Sequence, residues 1–283
     1  MQTVHQIASL RKTLQLWRTQ KLCVALVPTM GNLHAGHMRL IEQANQTADR
    51  VIVSIFVNPL QFGPTEDFAS YPRTLKADSL KLAEMGVQLL FAPDMNEMYP
   101  DAASDHTIVE IPKISQRLCG AFRPGHFRGV CTVVNKLFNI IQPDIALFGK
   151  KDYQQLAIIE QMVGDLCLPI EIVGIDIVRE TDGLAMSSRN QYLGATEREL
   201  APLLYKRLGQ LATEIKKGNQ NYAQLSAQAM NDLTVAGFKP QYVAVCRRRD
   251  LELAGADDKE LVVLAAVFLG HTRLIDNVAV DVV

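Results

Sequence analysis

Short, nearly continuous apolar runs recur through the first part of this chain, each followed by a polar or glycine-bearing turn and then by apolar residues at helical spacing. Leu22–Val27, Val51–Val57, Val87–Ala92, Pro143–Phe148 and Ile170–Val173 are too short for helices and lack the regular polar alternation of a half-exposed strand. Runs of this kind are strands buried on both faces, as in a parallel sheet covered by helices. The covering helices are equally legible. Ile7, Leu10, Leu14 and Trp17 precede the first run; Leu40, Ile41, Ala44 and Ala48 follow it; Val130, Val133, Val134, Leu137, Phe138 and Ile141 precede the fourth. Strand–helix alternation predicts right-handed β-α-β units and an α/β domain over residues 1–175. A short strand is expected near Ile108-Val109.

From about residue 176 the pattern changes. A helix over roughly Thr196–Lys217, a second over Tyr222–Ala236, and apolar strands at Gln241–Val245, Leu261–Val267 and Thr272–Asn277 predict a smaller α+β domain over 176–283. Arg247-Arg248-Arg249 reads as a solvated strand end.

A formal net charge of -1 gives no global field toward nucleic acid or membrane. No apolar run has the length of a membrane span, and the first residues do not read as a signal peptide. Five scattered cysteines, without a C-x-x-C pair, point to reduced thiols and a cytoplasmic protein.

The candidate chemistry sits in turns at strand ends. Pro28-Thr29-Met30-Gly31-Asn32-Leu33-His34-Ala35-Gly36-His37 joins the first buried run to its helix. A strand-to-helix turn of this kind offers backbone N–H groups and a helix N-terminus to an anion, phosphate above all. His34 and His37 fall on one side of the first helical turn, and Gly36 leaves room for a ligand on the backbone. The same two histidines also have the spacing of surface residues or metal ligands. Asn58-Pro59-Leu60-Gln61 ends the second run, so Asn58 and Gln61 lie at the carboxyl end, where open α/β sheets bind ligands. A capped turn is an equal reading there. Arg123–Gly129 is a second anion-friendly loop or a plain surface loop. Gly149-Lys150-Lys151-Asp152 opens a helix that carries Gln155. Asp182-Gly183 precedes Ser187-Ser188-Arg189, whose hydroxyls and planar cation suit a polyphosphate, or a polar cap.

Taken together, Pro28–His37, Ser54–Phe62 with Tyr71–Thr74, Arg123–Gly129, Phe148–Leu156 and Asp182–Asn190 closely resemble the pantothenate synthetases, the pantoate–β-alanine ligases of the H-x-G-H nucleotidyltransferase superfamily. The resemblance spans essentially the whole chain and includes the serine-containing counterpart of the K-M-S-K-S loop. It implies a Rossmann-like doubly wound ATP- and pantoate-binding domain, a smaller carboxyl-terminal lid and a homodimer. It also implies ATP-dependent joining of (R)-pantoate to β-alanine through a pantoyl-adenylate, releasing AMP and pyrophosphate. Magnesium would accompany ATP, with no tightly bound organic cofactor. By matching position, His34, His37, Lys151 and Arg189 would be catalytic. ATP would meet Met30, Gly31, Asn32, Leu33, His34, Ala35, Gly36, His37, Gly149, Lys150, Lys151, Asp152, Val178, Met186, Ser187, Ser188 and Arg189. Pantoate and β-alanine would meet Gln61, Gln155, Asn58, Pro28, Tyr71 and Arg123, and Asp78 would help place magnesium. One departure from the family pattern is Lys150, where an acidic residue is common. The alternatives are another H-x-G-H nucleotidyltransferase, which would show no amine dependence, and a nucleotide-binding protein without turnover.

Overall fold

A computed structural model describes residues 1–64, 66–100 and 105–282. They group into two compact units, Met1–Lys150 with Ile158–Asp176, and Lys151–Ala157 with Ile177–Val283.

In the first unit the apolar runs form strands, as the alternation predicts. These are β1 (Gln2–Val4), β2 (Val24–Thr29), β3 (Arg50–Ile55), β4 (Leu89–Phe91), β5 (Ile145–Gly149) and β6 (Glu171–Ile175). All pair in parallel, in the order β1-β4-β3-β2-β5-β6. The helices of the first part are α1 (Ile7–Thr19), α2 (Ala35–Thr47), α3 (Leu75–Glu84), α4 (Met95–Met98), α5 (Cys119–Phe122), α6 (His126–Ile141) and α7 (Tyr153–Asp165). This is the Rossmann-like doubly wound sheet. Ala25, Val27, Val51, Val53, Leu90 and Leu147 are almost fully buried and share one core with Ile41 and Ala44 of α2 and Leu82 of α3. Two aspartates set the start of β2: Asp49 accepts from Cys23 N–H at 2.8 Å and Asp144 from Val24 N–H at 2.7 Å.

Strand order reverses at β2, because β3 and β4 extend from one side of it and β5 and β6 from the other. The carboxyl ends of neighbouring β2 and β5 therefore flank the crevice where open α/β sheets take ligands.

Two expectations are corrected here. β1 is an additional edge strand, too short to stand out in sequence, paired with β4 over Gln2–Val4. No strand forms at Ile108-Val109. The Val109 N–H goes instead to a side chain, donating to Thr132 Oγ1 at 3.1 Å, while that hydroxyl gives its own proton to the Arg128 carbonyl at 2.8 Å.

The second unit holds α8 (Ala195–Leu200), α9 (Leu203–Lys216), α10 (Tyr222–Val235) and an antiparallel sheet of β7 (Lys239–Arg247), β8 (Glu260–Leu269) and β9 (Thr272–Asp281). Leu204, Leu208, Leu211, Ile215 and Leu233 bury against Val243, Val263, Ala265 and Val267. The single helix expected over Thr196–Lys217 is two helices broken at Ala201-Pro202, since proline supplies no N–H to continue the ladder. The triple-arginine segment is an ion-paired strand end: Arg247 meets Asp250 and Glu252, and Arg248 meets Asp281.

Candidate active site

β2 ends in a turn that only particular residues allow. Gly31 has φ of 83° and Asn32 has φ of 51°, both left-handed, and a Cβ on Gly31 would lie 3.1 Å from Ile55 Cγ2 and 3.3 Å from Asp78 Oδ2. The turn's backbone donors are already engaged. Asn32 N–H and Leu33 N–H donate to Asp78 Oδ2 and Oδ1, both at 2.9 Å, and Thr74 Oγ1 donates to Oδ2 at 2.9 Å. Gly31 N–H donates to Thr29 Oγ1 at 3.2 Å. A buried carboxylate, 1% exposed, thus occupies the place that the sequence pattern offers to phosphate. The N–H groups of Asn32 and Leu33 are given to Asp78 and that of Gly31 to Thr29, and three of the acceptor sites of the Asp78 carboxylate are used within the turn. Among the described residues, no cluster of three or more His, Cys, Asp or Glu side chains could hold a metal ion.

What the turn does present is imidazole. His34 caps α2, its Nδ1 accepting from Gly36 N–H at 3.1 Å, and His37 Nδ1 accepts from His34 N–H at 3.3 Å. The ring centroids are 4.2 Å apart. A nitrogen that accepts from a backbone N–H carries no proton, so in both neutral rings the proton sits on Nε2. An imidazolium would turn Nδ1 into a donor facing a donor. The reciprocal bonds therefore build a pair of Nε2–H donors at the carboxyl end of β2.

The turn after β3 is assembled around Asn58, which is 1% exposed. Its Oδ1 accepts from Tyr99 OH at 2.9 Å and Leu60 N–H at 3.4 Å; its Nδ2 donates to Gln61 Oε1 and to the Gly129 carbonyl, both at 3.1 Å. Two lone pairs and two N–H groups are thereby used, so Asn58 braces Gln61 and has no capacity left to read a substrate. Gln61 donates through Nε2 to Met30 Sδ at 3.1 Å, which keeps one amide proton and one lone pair for a ligand and links this turn to that of β2. Burial raises the Tyr99 phenol well above its ordinary value, so it remains a donor.

Gly129 lets α6 close on this turn. A Cβ there would overlap the Leu60 carbonyl and lie 2.6 Å from Gln61 N. Next to it, Arg123 forks onto Glu66 with both bonds at 2.6 Å, and its NH1 lies 2.9 Å from His126 Nε2. His126 Nδ1 donates to the Gln61 carbonyl at 2.7 Å. Burial alone would raise the Glu66 carboxyl, but the Arg123 fork outweighs it and holds Glu66 below its usual range. Arg123 thus supports the Gln61 backbone, to which its NH2 also donates at 3.4 Å. Tyr71 is buried, its ring edge-on to Phe62 at 5.8 Å, and serves as a wall of the same turn. Pro28 lies within β2 opposite Ser54.

Gly149 ends β5, and Lys150 pairs with Asp176 at 2.7 Å in solvent, so its extra positive charge is locally balanced. In the second unit, Lys151 and Asp152 lie on the short turn into α7, and half-buried Gln155 lies in that helix's first turn. Val178 and Met186 are joined by a backbone hydrogen bond of 3.0 Å beside the single Arg179–Ala185 bridge, and Ser187 caps the 3-10 turn Ser188–Tyr192 by accepting from Arg189 N–H at 3.3 Å. Neighbouring side chains hold this stretch. Asn190 Nδ2 donates to Glu180 Oε1 and to the Ala185 carbonyl, both at 3.1 Å, and Arg198 bonds Glu180 at 2.6 Å and Asp182 at 2.5 Å. The Asp182 carboxyl is held low, chiefly by Arg198. Sequence reasoning did not single out Tyr99, Glu66, Glu180 or Arg198. Tyr99, Glu66 and Arg198 reach partners too far along the chain for local spacing to reveal.

A parallel sheet that reverses at β2, with a preset histidine pair on the turn beyond it, defines an α/β protein of the H-x-G-H class. Residues 2–279 match the family model for pantoate-beta-alanine ligase. The chain is 54% identical to the pantothenate synthetase of Azotobacter vinelandii and 52% identical to that of Hahella chejuensis, each alignment covering at least 99% of both chains. Its fold matches the crystal structure of pantothenate synthetase from Thermus thermophilus with a TM-score of 0.91 and 42% identity, over 98% of this chain and 99% of that one. It also matches a Francisella tularensis pantoate-beta-alanine ligase complexed with beta-gamma ATP and β-alanine, with a TM-score of 0.82, 34% identity, and coverage of 98% and 97%. The chain belongs to the pantoate–β-alanine ligase family and is a ligase of pantothenate biosynthesis.

Proposed function

We propose that this enzyme condenses (R)-pantoate with β-alanine at the expense of ATP, by way of a pantoyl-adenylate. The pantoate carboxylate, ionised at neutral pH with a pKa near ~4, attacks the α-phosphorus, the bond from that phosphorus to the α,β-bridging oxygen breaks, and pyrophosphate leaves. No enzyme nucleophile or general base is needed in this step. The β-alanine amine then attacks the acyl carbon of the mixed anhydride, AMP departs with the carboxylate oxygen, and the amine's extra proton is lost.

The observation that carries the reading is that His34 and His37, at the reversal of strand order, each accept a backbone N–H through Nδ1, which assigns the ring proton to Nε2. Fixed donors that need no reorganisation stabilise the charge gathering on the phosphoryl oxygens as pyrophosphate leaves. Gln61, braced on one side and open on the other, suits the hydroxyls and carboxylate of pantoate. Phosphate contacts by Lys151, Ser187, Ser188 and Arg189, ribose contacts by Gly149 and Asp152, adenine contacts at Val178 and Met186, and a pantoate contact by Gln155 belong to the same proposal and rest on the family resemblance. So do the homodimer and a carboxyl-terminal unit acting as a lid. Magnesium enters with ATP, held chiefly by phosphate oxygens, and the part in placing it that the family resemblance gives Asp78 belongs to the same proposal. A cytoplasmic location agrees with five free cysteines; burial pushes the Cys131 thiol up to about 12, away from reactive thiolate.

The test is exchange of labelled pyrophosphate into ATP by the full-length protein with magnesium. Exchange that requires pantoate and proceeds without β-alanine supports the adenylate. Exchange that requires β-alanine, or pantothenate formation with no exchange at any pantoate concentration, contradicts it.

A further inference from the structure

We infer that Asp276 and Asn277, adjacent on β9, are positioning residues that fix the Lys151 segment and the bridged turn Val178–Met186 ahead of Ser187–Arg189 from one point. The inference rests on the reading above, in which Lys151 and Ser187–Arg189 act on the phosphates of ATP.

Both side chains are buried polar groups, 4% and 6% exposed, on a strand whose neighbours are chiefly apolar. Their bonds point outward from the sheet's own ladder. Asp276 receives the full fork of Arg179, with NH1 to Oδ2 at 2.7 Å and NH2 to Oδ1 at 2.9 Å. Asn277 gives its backbone N–H to Asp276 Oδ1 at 2.8 Å, which fixes the carboxylate, and its side-chain Nδ2 to the Lys151 carbonyl at 3.0 Å. One dipeptide thus holds two segments that are separated along the chain by the whole of α7 and β6.

The route from Asp276 to Ser187 has few soft torsions. Arg179 lies over the Tyr205 ring, with Cζ 3.5 Å from the centroid, and also donates to the Gly183 carbonyl at 3.0 Å. Gly183 has φ of 97°, and a Cβ there would stand 3.0 Å from Tyr205 Cδ1, so the turn rests on the same ring. Arg179 pairs with Ala185 in a single antiparallel bridge, and Ala185 is tied to Asn190 beyond the serines. A guanidinium held by a fork, a ring and a carbonyl defines a plane, which lysine's point charge does not. A buried ion pair is a poor way to add stability, because its desolvation offsets much of its attraction. Its use here is to set position.

The two anchors are separable. Removing the Asn277 amide takes away the bond to the Lys151 carbonyl and leaves the Arg179 fork in place, and altering Asp276 takes away the fork and leaves the Lys151 bond in place. The experiment is steady-state turnover of the full chain with ATP, pantoate, β-alanine and magnesium for Asn277→Ala, Lys151→Ala and the double variant, with folded fraction read from urea unfolding. Asn277→Ala is expected to lower kcat/KM for ATP by roughly 10- to 100-fold, the scale of a small misplacement of a charged group, while the protein remains folded. In the Lys151→Ala background the same change is expected to cost less than about threefold, since the group it positions is gone. Asp276→Asn, measured in the same way against Arg189→Ala, is expected to repeat the pattern; should it fail to fold, the Asn277 cycle decides alone. Equal losses from Asn277→Ala in both backgrounds, or an unchanged kcat/KM in the folded single variant, would overturn the inference while leaving the functional reading intact. A Lys151→Ala protein with unaltered kcat/KM for ATP would overturn both.

Discussion

In the turn after β2 a single buried carboxylate, Asp78, gathers two backbone N–H groups and a hydroxyl within 2.9 Å, and the two histidines complete the turn by bonding to its own backbone. In the 178–190 segment of the other unit the holding groups are guanidinium forks: Arg179 on Asp276, and Arg198 on Glu180 and Asp182. The first arrangement leaves little room for rearrangement, because releasing Asp78 strands donors away from water. The second includes half-exposed pairs around Arg198, whose bonds can be exchanged for water at small cost. Two segments expected to serve phosphate are thus built for different degrees of constancy, the histidine pair preset and the serine–arginine segment strapped.

Substitutions can break this contrast, beginning with the largest effect. His37→Ala removes a preset donor and leaves His34 N–H without its acceptor; kcat for AMP formation should fall about 10²- to 10³-fold with the fold retained. Gly129→Ala drives a methyl into the Leu60 carbonyl and the Gln61 turn, and should lower kcat/KM for pantoate about 10²-fold, measured by varying pantoate at saturating ATP. Asp78→Ala strips the turn of its acceptor and should cost about 3 kcal/mol of unfolding free energy in urea, with Asp78→Asn costing less; a loss no larger than that of Glu180→Ala would erase the contrast.

Smaller effects sharpen it. Glu66 is held below its ordinary range by Arg123, so its ionised form belongs to the folded state. Its contribution is complete above the unfolded glutamate value near ~4.3 and is lost as pH falls through the lower folded value. Glu66→Gln should therefore be less stable than the parent at pH 7, and the difference should shrink below about pH 4 in urea titrations. Lys150→Glu should change stability by less than about 1 kcal/mol, since the Lys150–Asp176 pair stands in solvent.

Much of this was legible in the residues themselves. The parallel sheet, its order of helices, the smaller α+β unit and the H-x-G-H turn follow from apolar runs and glycine placement, which are local. What the turn does with its N–H groups was not legible, because the occupant is Asp78, on a helix that the chain reaches only after β3. The family resemblance made Asp78 a metal candidate and the strand-end position made Asn58 a substrate reader; the bonding partners that hold them lie as far as 71 residues away, as with Gly129. Asp276 and Arg179, 97 residues apart, left no local signal at all. Pro202 was visible within the expected long helix, and the leucines on either side, at helical spacing, masked its effect.

The most direct measurement of the central claim uses pantoate labelled with ¹⁸O in its carboxylate, turned over with ATP and β-alanine, and reads the mass of the AMP formed. Attack by the carboxylate on the α-phosphorus leaves one labelled oxygen on every AMP when the amine displaces it, and that is the predicted result. AMP free of label, with pantothenate still formed, would contradict the adenylate and with it the role given to the His34–His37 pair.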